Sequence, residues 1–301
     1  MTIIADETVQ QDAVYALAQS TPYLYAARLS GLHRSEDGGH KWTNTFATLE
    51  RPIGATAVAV AGSTVFAGVN GAVLRSHDNG QHWQISPLAS PPPHVVALAV
   101  SPNLEHDRFI AAGTAEDGVF ISTDGGETWT AWNFGLLDLH IFALLISPNF
   151  AQDNLLFAGT ESGIFRSHNG GRGWRELAFP IDSAPVLSLA VSPNFAVDGR
   201  MYAGSEISGL FISDDSGLSW QRATNTDFDG AVNAIHITAS KPESVWLLAE
   251  DQLLRSTNNA QSWSLQHTLP TDKLAMAMAA SNAASEPNVV GFADGTIMHL
   301  S

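Results

Sequence analysis

The chain has 301 residues, 45% of them hydrophobic, and its 30 acidic against 14 basic side chains give a net charge of −16. This charge argues against nucleic-acid binding and against adsorption to an anionic membrane, and the absence of cysteine excludes disulfides, thiol catalysis and cysteine-bound metal. No stretch reaches the roughly 18 apolar residues of a membrane-spanning helix. Residues 1–12 lack the features of a secretory signal, so we expect a cytoplasmic protein.

The predicted strands begin at residues 2–5 (TIIA) and 13–20 (AVYALAQS), and an acidic, glycine-rich stretch that ends in tryptophan follows at 34–42, RSEDGGHKW. Five related stretches follow along the chain: 75–83 (RSHDNGQHW), 121–129 (ISTDGGETW), 166–174 (RSHNGGRGW), 212–220 (ISDDSGLSW) and 255–263 (RSTNNAQSW). Their common pattern is Ser-x-Asp-x-Gly-x-x-Trp. The six tryptophans lie at positions 42, 83, 129, 174, 220 and 263, so neighbouring copies are 41 to 46 residues apart.

Each repeat also contains short apolar runs. In the third repeat, 94–103 (HVVALAVSPN) and 108–114 (RFIAAGT) precede a strand that begins with glycine, 118–122 (GVFIS), and the tryptophan of the motif opens a fourth strand. Short runs rich in Val, Ile, Leu and Phe, separated by Gly, Pro, Asn and Asp, are typical of strands. Four strands in a repeat of about 45 residues are typical of a β-propeller blade.

The blade number follows from the repeats. Six repeats carry the tryptophan motif, and residues 273–301 contain three further strands, which we interpret as a seventh blade. The strand missing from that blade is supplied in this interpretation by residues 2–5, which would close the ring. The sequence therefore predicts an all-β protein with a single domain, 1–301: a seven-bladed propeller of four-stranded antiparallel blades. Six blades with a C-terminal extension are the alternative.

The repeated motif lies at the predicted hairpin turn between the third and fourth strands. In such a turn a short carboxylate accepts hydrogen bonds from turn amides, a glycine supplies positive φ, and the tryptophan buries apolar surface. Asn169 replaces the aspartate in the fourth copy and keeps the acceptor without the charge. We therefore interpret the motif as a folding element and expect no metal or cofactor. The residues with this structural role are Asp37, Trp42, Asp78, Trp83, Asp124, Trp129, Asn169, Trp174, Asp215, Trp220 and Trp263.

A second repeated element links the first and second strands of three repeats: 101–108 (SPNLEHDR), 147–154 (SPNFAQDN) and 192–199 (SPNFAVDG). Proline after the serine, and aspartate six residues after it, favour a capped turn. Each loop offers one clear carboxylate, whereas a calcium site needs several converging oxygen ligands.

The six copies of the motif resemble the Asp-box, or BNR, repeat, and the resemblance covers essentially the whole chain. Proteins with this repeat include sialidases, xyloglucanase-like glycoside hydrolases, the sortilin ectodomain and photosystem II assembly factors. The resemblance implies a β-propeller without implying one function. A sialidase site is disfavoured because that family's Arg-Ile-Pro motif is missing, and xyloglucanase-like enzymes have two propellers where we predict one.

Loops on the face opposite the repeated motif are the expected ligand site, since they surround the mouth of the channel. Acidic residues recur at equivalent places between the second and third strands, and aromatic and cationic side chains occur in the connections between blades. The candidate ligand-binding residues are Arg51, Glu116, Asp117, Trp132, Phe134, His140, Glu161, Glu206, Asp229 and Glu250. Trp132 and Phe134 have a second interpretation, in which they fill the seam between two blades.

These observations favour a non-catalytic binding or assembly scaffold over an enzyme. The scaffold would present an acidic face to a protein partner with a basic surface. The alternative is a glycan-acting protein, either a glycoside hydrolase or a lectin, that uses the aromatic and acidic residues of the same face.

Overall fold

The computed structural model describes residues 11–180, 185–223, 228–238, 243–280 and 286–300, which fold as seven antiparallel sheets. The strands of the first three sheets are β1 Val14–Ser20, β2 Tyr23–Arg28, β3 Gly31–Ser35, β4 Thr43–Asn44; β5 Ala57–Ala61, β6 Thr64–Val69, β7 Ala72–Ser76, β8 Gln84–Pro87; β9 Val95–Val100, β10 Ile110–Thr114, β11 Val119–Ser122 and β12 Thr130–Ala131. Each sheet pairs its strands in chain order, as expected for a propeller blade.

The remaining sheets repeat this arrangement. Their strands are β13 Ile141–Ile146, β14 Leu156–Thr160, β15 Ile164–Ser167, β16 Arg175–Glu176; β17 Val186–Val191, β18 Met201–Ser205, β19 Leu210–Ser213, β20 Gln221–Arg222; β21 Val232–Ile237, β22 Val245–Ala249, β23 Gln252–Ser256, β24 Ser264–Thr268; β25 Ala275–Ala280, β26 Pro287–Phe292 and β27 Ile297–His299. The prediction of an all-β, seven-bladed propeller with four-stranded antiparallel blades is confirmed. Numbering the sheets in chain order gives blades 1 to 7.

Three short helices interrupt the loops between the first two strands of blades 3, 4 and 5: α1 Leu104–Asp107, α2 Phe150–Asp153 and α3 Phe195–Asp198. The sequence predicted capped turns here. The structure forms one-turn helices whose N-cap asparagines make no side-chain cap hydrogen bond, while the serine and the aspartate of each loop bond to each other. In α2, the Ser147 hydroxyl donates to Asp153 Oδ2 at 2.6 Å, and Asp153 Oδ1 accepts the amide of Leu155 at 2.9 Å. The aspartate thus ties both ends of the loop together.

Neighbouring blades pack so closely that the second strand carries glycine at the contact. A Cβ atom on Gly113 of blade 3 would lie 2.6 Å from Ile141 Cγ2 of blade 4. The same relation holds between blades 7 and 1, where a Cβ atom on Gly291 would lie 2.5 Å from Val14 Cγ1. The ring therefore closes through ordinary blade packing between the last and first blades.

Polar contacts reinforce that closure. Arg28 Nη1 donates to the carbonyl of Gly295 at 3.1 Å, and the His40 and His299 rings stack with their centroids 4.1 Å apart. The predicted closing strand, residues 2–5, lies outside the described residues, and the described part of blade 7 has three strands.

The core is divided among the blade interfaces. Within the described part of the chain, the buried apolar side chains form seven clusters, and each cluster spans two neighbouring blades. Burial of apolar surface is the main stabilising contribution to such a fold. The interfaces between blades are therefore the places where a substitution should affect stability most.

Candidate functional site

The repeated motif forms the same hydrogen-bonded turn six times, which we call the Ser-Asp turn: residues 35–42, 76–83, 122–129, 167–174, 213–220 and 256–263. In the third copy, the Ser122 hydroxyl donates to Asp124 Oδ1 at 2.7 Å, and Ser122 Oγ accepts the amide of Gly126 at 2.8 Å. Asp124 Oδ1 also accepts the amides of Glu127 and Thr128, at 2.9 and 3.0 Å. The carboxylate is thus occupied by its own turn.

The two asparagine copies preserve these bonds. Asn169 Oδ1 accepts the Ser167 hydroxyl and the amide of Gly173, both at 2.9 Å. Asn258 Oδ1 accepts the Ser256 hydroxyl at 2.9 Å and the amide of Ser262 at 3.0 Å. A negative charge is therefore not required for the turn geometry.

Each Ser-Asp turn also contacts the preceding blade. Gly126 adopts φ +87°, and a Cβ atom there would lie 3.0 Å from Phe66 Cε1 in blade 2. Trp129 is 8% exposed and packs in the cluster that contains Phe66 and Leu88. Trp83 likewise meets Phe46 of blade 1 edge to face, with ring centroids 5.0 Å apart. The turn joins one blade to the next.

Desolvation raises the pKa of Asp124, but hydrogen bonds from Thr128, Ser122 and Glu127 outweigh it and hold the pKa below its usual value. The pKa of Asp215 is lowered by the equivalent bonds from Ser219 and Ser213, again against desolvation. These carboxylates are charged at neutral pH, and hydrogen bonds within the turn balance that charge.

The Ser-Asp turns and the loops between first and second strands lie at one end of the propeller, which we call the lower face. The upper face carries the turns between second and third strands and the connections between blades. Three clefts open on the upper face, each at a junction between blades. Six of the predicted residues line them: Glu116, His140, Glu161, Glu206, Asp229 and Glu250.

The blade 3–4 cleft has a volume of about 680 Å³ and is lined by Glu116, Leu137, Asp138, Leu139, His140, Glu161, Ser162, Phe165 and Glu176. Three of its side chains converge. His140 Nδ1 lies 3.1 Å from Asp138 Oδ1 and 3.4 Å from Glu161 Oε2. The sequence predicted His140 and Glu161 as site residues without predicting that they meet.

Asp138 is held in place by the backbone. Its Oδ1 accepts the amide of His140 at 3.0 Å, and its Oδ2 accepts the amide of Ser162 at 2.7 Å. Desolvation raises the pKa of Asp138, but these hydrogen bonds outweigh it and lower the pKa to about 2. Asp138 is therefore ionised at neutral pH and fixed in its orientation, with its side chain only 11% exposed.

The blade 5–6 cleft has a volume of about 530 Å³ and is lined by Glu206, Ile207, Phe228, Asp229, Gly230, Ala249, Glu250, Asp251 and Gln252. None of these described lining residues is Lys or Arg, although Arg222 outside the cleft pairs with Asp229. The structure therefore brings together three predicted residues, Glu206, Asp229 and Glu250, and adds Asp251 and the ring of Phe228.

The blade 6–7 cleft, also about 530 Å³, shares Glu250 and Asp251 with its neighbour and adds Asp272, Lys273 and Leu274. Lys273 Nζ pairs with Asp294 Oδ2 at 2.8 Å. Asp294 lies between β26 and β27, at the position equivalent to that of Glu250 in blade 6, and this pair neutralises it. The unpaired acidic surface therefore ends near Asp272.

The other predicted residues lie apart from these clefts. Arg51 is exposed in the connection between blades 1 and 2, and Asp117 is exposed beside the blade 3–4 cleft without lining it. Trp132 is half-buried beneath Arg172, whose Cζ lies 5.1 Å from the ring centroid, so it fills the seam between blades 3 and 4. Phe134 does not: its side chain is 83% exposed beside Trp174, whose amide donates to the Phe134 carbonyl.

A cleft of about 650 Å³ on the lower face was not predicted from the sequence. It opens between blades 2 and 3 because blade 2 has a tight turn, residues 61–64, where blade 3 carries α1. In the next junction, Phe150 of α2 packs on Phe109 with ring centroids 4.5 Å apart, whereas the equivalent Leu104 of α1 is only half-buried. The two arginines that line the lower-face cleft, Arg75 and Arg108, both lie within 3.6 Å of Glu127.

The most important residue that sequence reasoning missed is Asp138. Its position two residues before His140, at the start of an inner strand, was the available signal, because Asp commonly accepts the amide two residues on. Its second contact, with Ser162, joins two loops that are 24 residues apart and has no local sequence signal.

Seven antiparallel blades in a ring, six of them with four strands among the described residues and the last with three, define the chain as a seven-bladed β-propeller. Among the residues that the structure describes, no helix is long and apolar enough to cross a membrane. The chain belongs to the DUF6242 beta propeller domain family, whose model matches residues 4–249. Comparison with curated proteins gives no significant match.

Solved structures with the same fold belong to proteins with different named roles. The extracellular domain of a putative one component system from B. thetaiotaomicron has a TM-score of 0.71 at 14% identity over 96% of this chain and 38% of its own. The GH74 xyloglucanase from Xanthomonas campestris gives 0.73 at 17% identity, over 96% and 52%. YCF48 bound to D1 peptide gives 0.70 at 16% identity, over 96% and 93%.

This chain therefore spans about two fifths of the first of these structures and about half of the second, but nearly all of the third. At these identities the likeness concerns the fold alone.

Proposed function

We propose that the protein is a non-catalytic scaffold whose upper face binds a basic segment of a protein partner. The observation that carries this proposal is the pair of adjoining clefts at blades 5–6 and 6–7, where Glu206, Glu250, Asp251 and Asp272 have no ion pair among the described residues. Each cleft also exposes an apolar side chain: Ile207 is 65% exposed and Leu274 is 58% exposed.

Charge complementarity supports a basic partner. Lysine or arginine side chains entering these clefts would meet carboxylates held on a rigid ring, and such an arrangement raises association rates and selects partners by charge. The fold offers a precedent for peptide recognition, since YCF48 is seen bound to D1 peptide. Under this proposal the Ser-Asp turns are Asp boxes with a folding role, and the upper face is left for recognition.

A displayed library of random peptides, selected on the wild-type protein, tests the proposal. We expect the bound peptides to be enriched in Lys and Arg, with apolar residues between them, and to be released by salt. Enrichment of acidic or uncharged peptides, or no enrichment at all, would contradict the proposal.

A glycan-acting role is the second candidate function, and it rests on the blade 3–4 cleft. One carboxylate oxygen of Asp138 and one of Glu161 lie within 4.8 Å of each other. The fold is also shared with GH74 enzymes. Retaining glycosidases need two carboxyl groups about 5 Å apart, one of which stays protonated as the acid. Release of reducing sugar from xyloglucan, lost in Glu161→Gln, would favour this candidate over the scaffold.

A further inference from the structure

We propose that Asp138, His140 and Glu161 form a binding site for one divalent transition-metal ion of the Zn²⁺ class. The three side chains come from two loops of the upper face, the connection between blades 3 and 4 and the turn between β14 and β15. Their ligand atoms all lie within 4.8 Å of one another, and no other group of three His, Asp or Glu side chains in the described residues is brought this close.

The distances suit ligands of one ion. Two atoms that each lie about 2.1 Å from a zinc ion and subtend about 95–110° at it are roughly 3.1–3.4 Å apart. His140 Nδ1 is 3.1 Å from Asp138 Oδ1 and 3.4 Å from Glu161 Oε2. The ion would take the place of the proton on Nδ1, and each carboxylate would supply one oxygen.

The surroundings hold Asp138 in a fixed orientation and leave the side chain of Glu161 free to move. Asp138 is fixed by the amides of His140 and Ser162, and its Oδ1 already lies 3.1 Å from the imidazole nitrogen Nδ1. Such outer contacts orient a ligand before the metal arrives. Glu161 is 61% exposed and can rotate to complete the coordination. A fourth position would face the open cleft, where water or a donor atom of a bound molecule can occupy it.

The ligand set selects the class of metal. An imidazole nitrogen with two carboxylates suits Zn²⁺, Co²⁺ or Ni²⁺, whereas Ca²⁺ and Mg²⁺ prefer oxygen ligands only. The chain also contains a matched control on the lower face, where His82 Nδ1 lies 2.6 Å from Asp78 Oδ2 without a second carboxylate. That pair lacks the third ligand and should not hold the ion.

Calorimetric titration of the chelator-treated full chain with Zn²⁺, in excess Ca²⁺ and at physiological salt, tests the site. We expect one Zn²⁺ per chain in the wild type and in His82→Ala. His140→Ala and the isosteric Glu161→Gln should each raise the Kd at least tenfold. Absorption of the Co²⁺-loaded protein in the visible range should follow the same pattern across the variants.

An unchanged Kd in His140→Ala, or displacement of Zn²⁺ by millimolar Ca²⁺, would overturn the site. Melting temperatures of the metal-free variants equal to that of the wild type would show that each variant is folded. The inference does not rest on recognition of a basic segment, because zinc uptake and peptide binding are measured separately and either one can fail alone.

Discussion

Gly126→Ala tests the conclusion that each Ser-Asp turn joins its blade to the preceding one. Gly126 has φ +87°, and an added Cβ atom would lie 3.0 Å from Phe66 Cε1 and 3.4 Å from Ile110 Cδ1. Phe66 is fully buried and Ile110 is likewise part of the core, so neither can move away easily.

Two effects add in this variant. The left-handed backbone costs an alanine about 1–2 kcal/mol, and forcing a methyl group into a packed core costs about 1–3 kcal/mol more. We therefore expect Gly126→Ala to lower the free energy of unfolding by about 3 kcal/mol.

Gly38→Ala is the matched control, because Gly38 also has positive φ, +76°, but a Cβ atom there would meet nothing within 4 Å. The equivalent positions in other copies hold Asn79 and Ser216 at φ +58° and +59°, so this backbone tolerates a side chain. The control should lose only about 1 kcal/mol.

Urea unfolding followed by tryptophan fluorescence measures both variants. If the free energies of unfolding of Gly126→Ala and Gly38→Ala differ by less than about 0.5 kcal/mol, contact with the preceding blade does not contribute to stability at this turn, and the reasoning fails. The sixth copy carries alanine at the position equivalent to Gly126: Ala260 has φ +63° and is buried in the cluster between blades 5 and 6. The penalty in Gly126→Ala is therefore expected to come from the neighbours of Gly126 as well as from its backbone.

Three further predictions concern stability. Trp129→Ala should lower the free energy of unfolding by about 3–5 kcal/mol, whereas Phe134→Ala, at a residue that is 83% exposed, should change it by less than about 0.5 kcal/mol; equal losses would contradict the packing described. Asp124→Asn should be less stable than the wild type at pH 6 by about 1 kcal/mol or less. Folding lowers the pKa of Asp124, so its charge stabilises the fold fully above the ordinary pKa of 3.8. The difference in stability should shrink progressively as the pH falls below that value toward the lowered pKa of the folded state, and a difference that stays constant with pH would contradict this. Deletion of residues 1–8 should lower the melting temperature if they supply the fourth strand of blade 7, and an unchanged melting temperature would refute that topology.

The fold was predictable because the repeat spacing and strand pattern are local. Six tryptophans at nearly constant spacing, each preceded by closely related turn residues, indicate the blade length, and three further strands indicate a seventh blade. The strands then follow from the alternation of apolar runs and turn residues. The strands and blades could therefore be predicted from local sequence alone, without knowledge of contacts between blades.

The candidate site was only partly predictable, because its geometry depends on contacts between blades. Glu116 and Glu161 were predicted from equivalent loop positions, and they do line one cleft. Asp138 was missed because its role requires the amide of Ser162 in another loop. The sequence also cannot tell that Trp132 packs beneath Arg172 while Phe134, two residues on, faces solvent.

Charge pairing across loops was equally invisible in the sequence. Asp294 belongs to the acidic series by position, yet Lys273 from the preceding connection neutralises it. The acidic surface is therefore narrower than the residue count suggests, and it centres on Glu206, Glu250 and Asp251.

The most direct test of the proposed function is a fluorescence anisotropy titration of a library-selected basic peptide. The wild type is compared with a variant in which Glu206 and Glu250 are changed to Gln and Asp251 and Asp272 to Asn. The control neutralises four lower-face carboxylates instead: Glu36→Gln, Glu105→Gln, Glu127→Gln and Asp214→Asn. At about 0.5 kcal/mol for each lost charge, the upper-face variant should bind roughly 30-fold more weakly, and the control should bind like the wild type. Equal weakening in both variants, or none in the upper-face variant, would contradict recognition by the upper face.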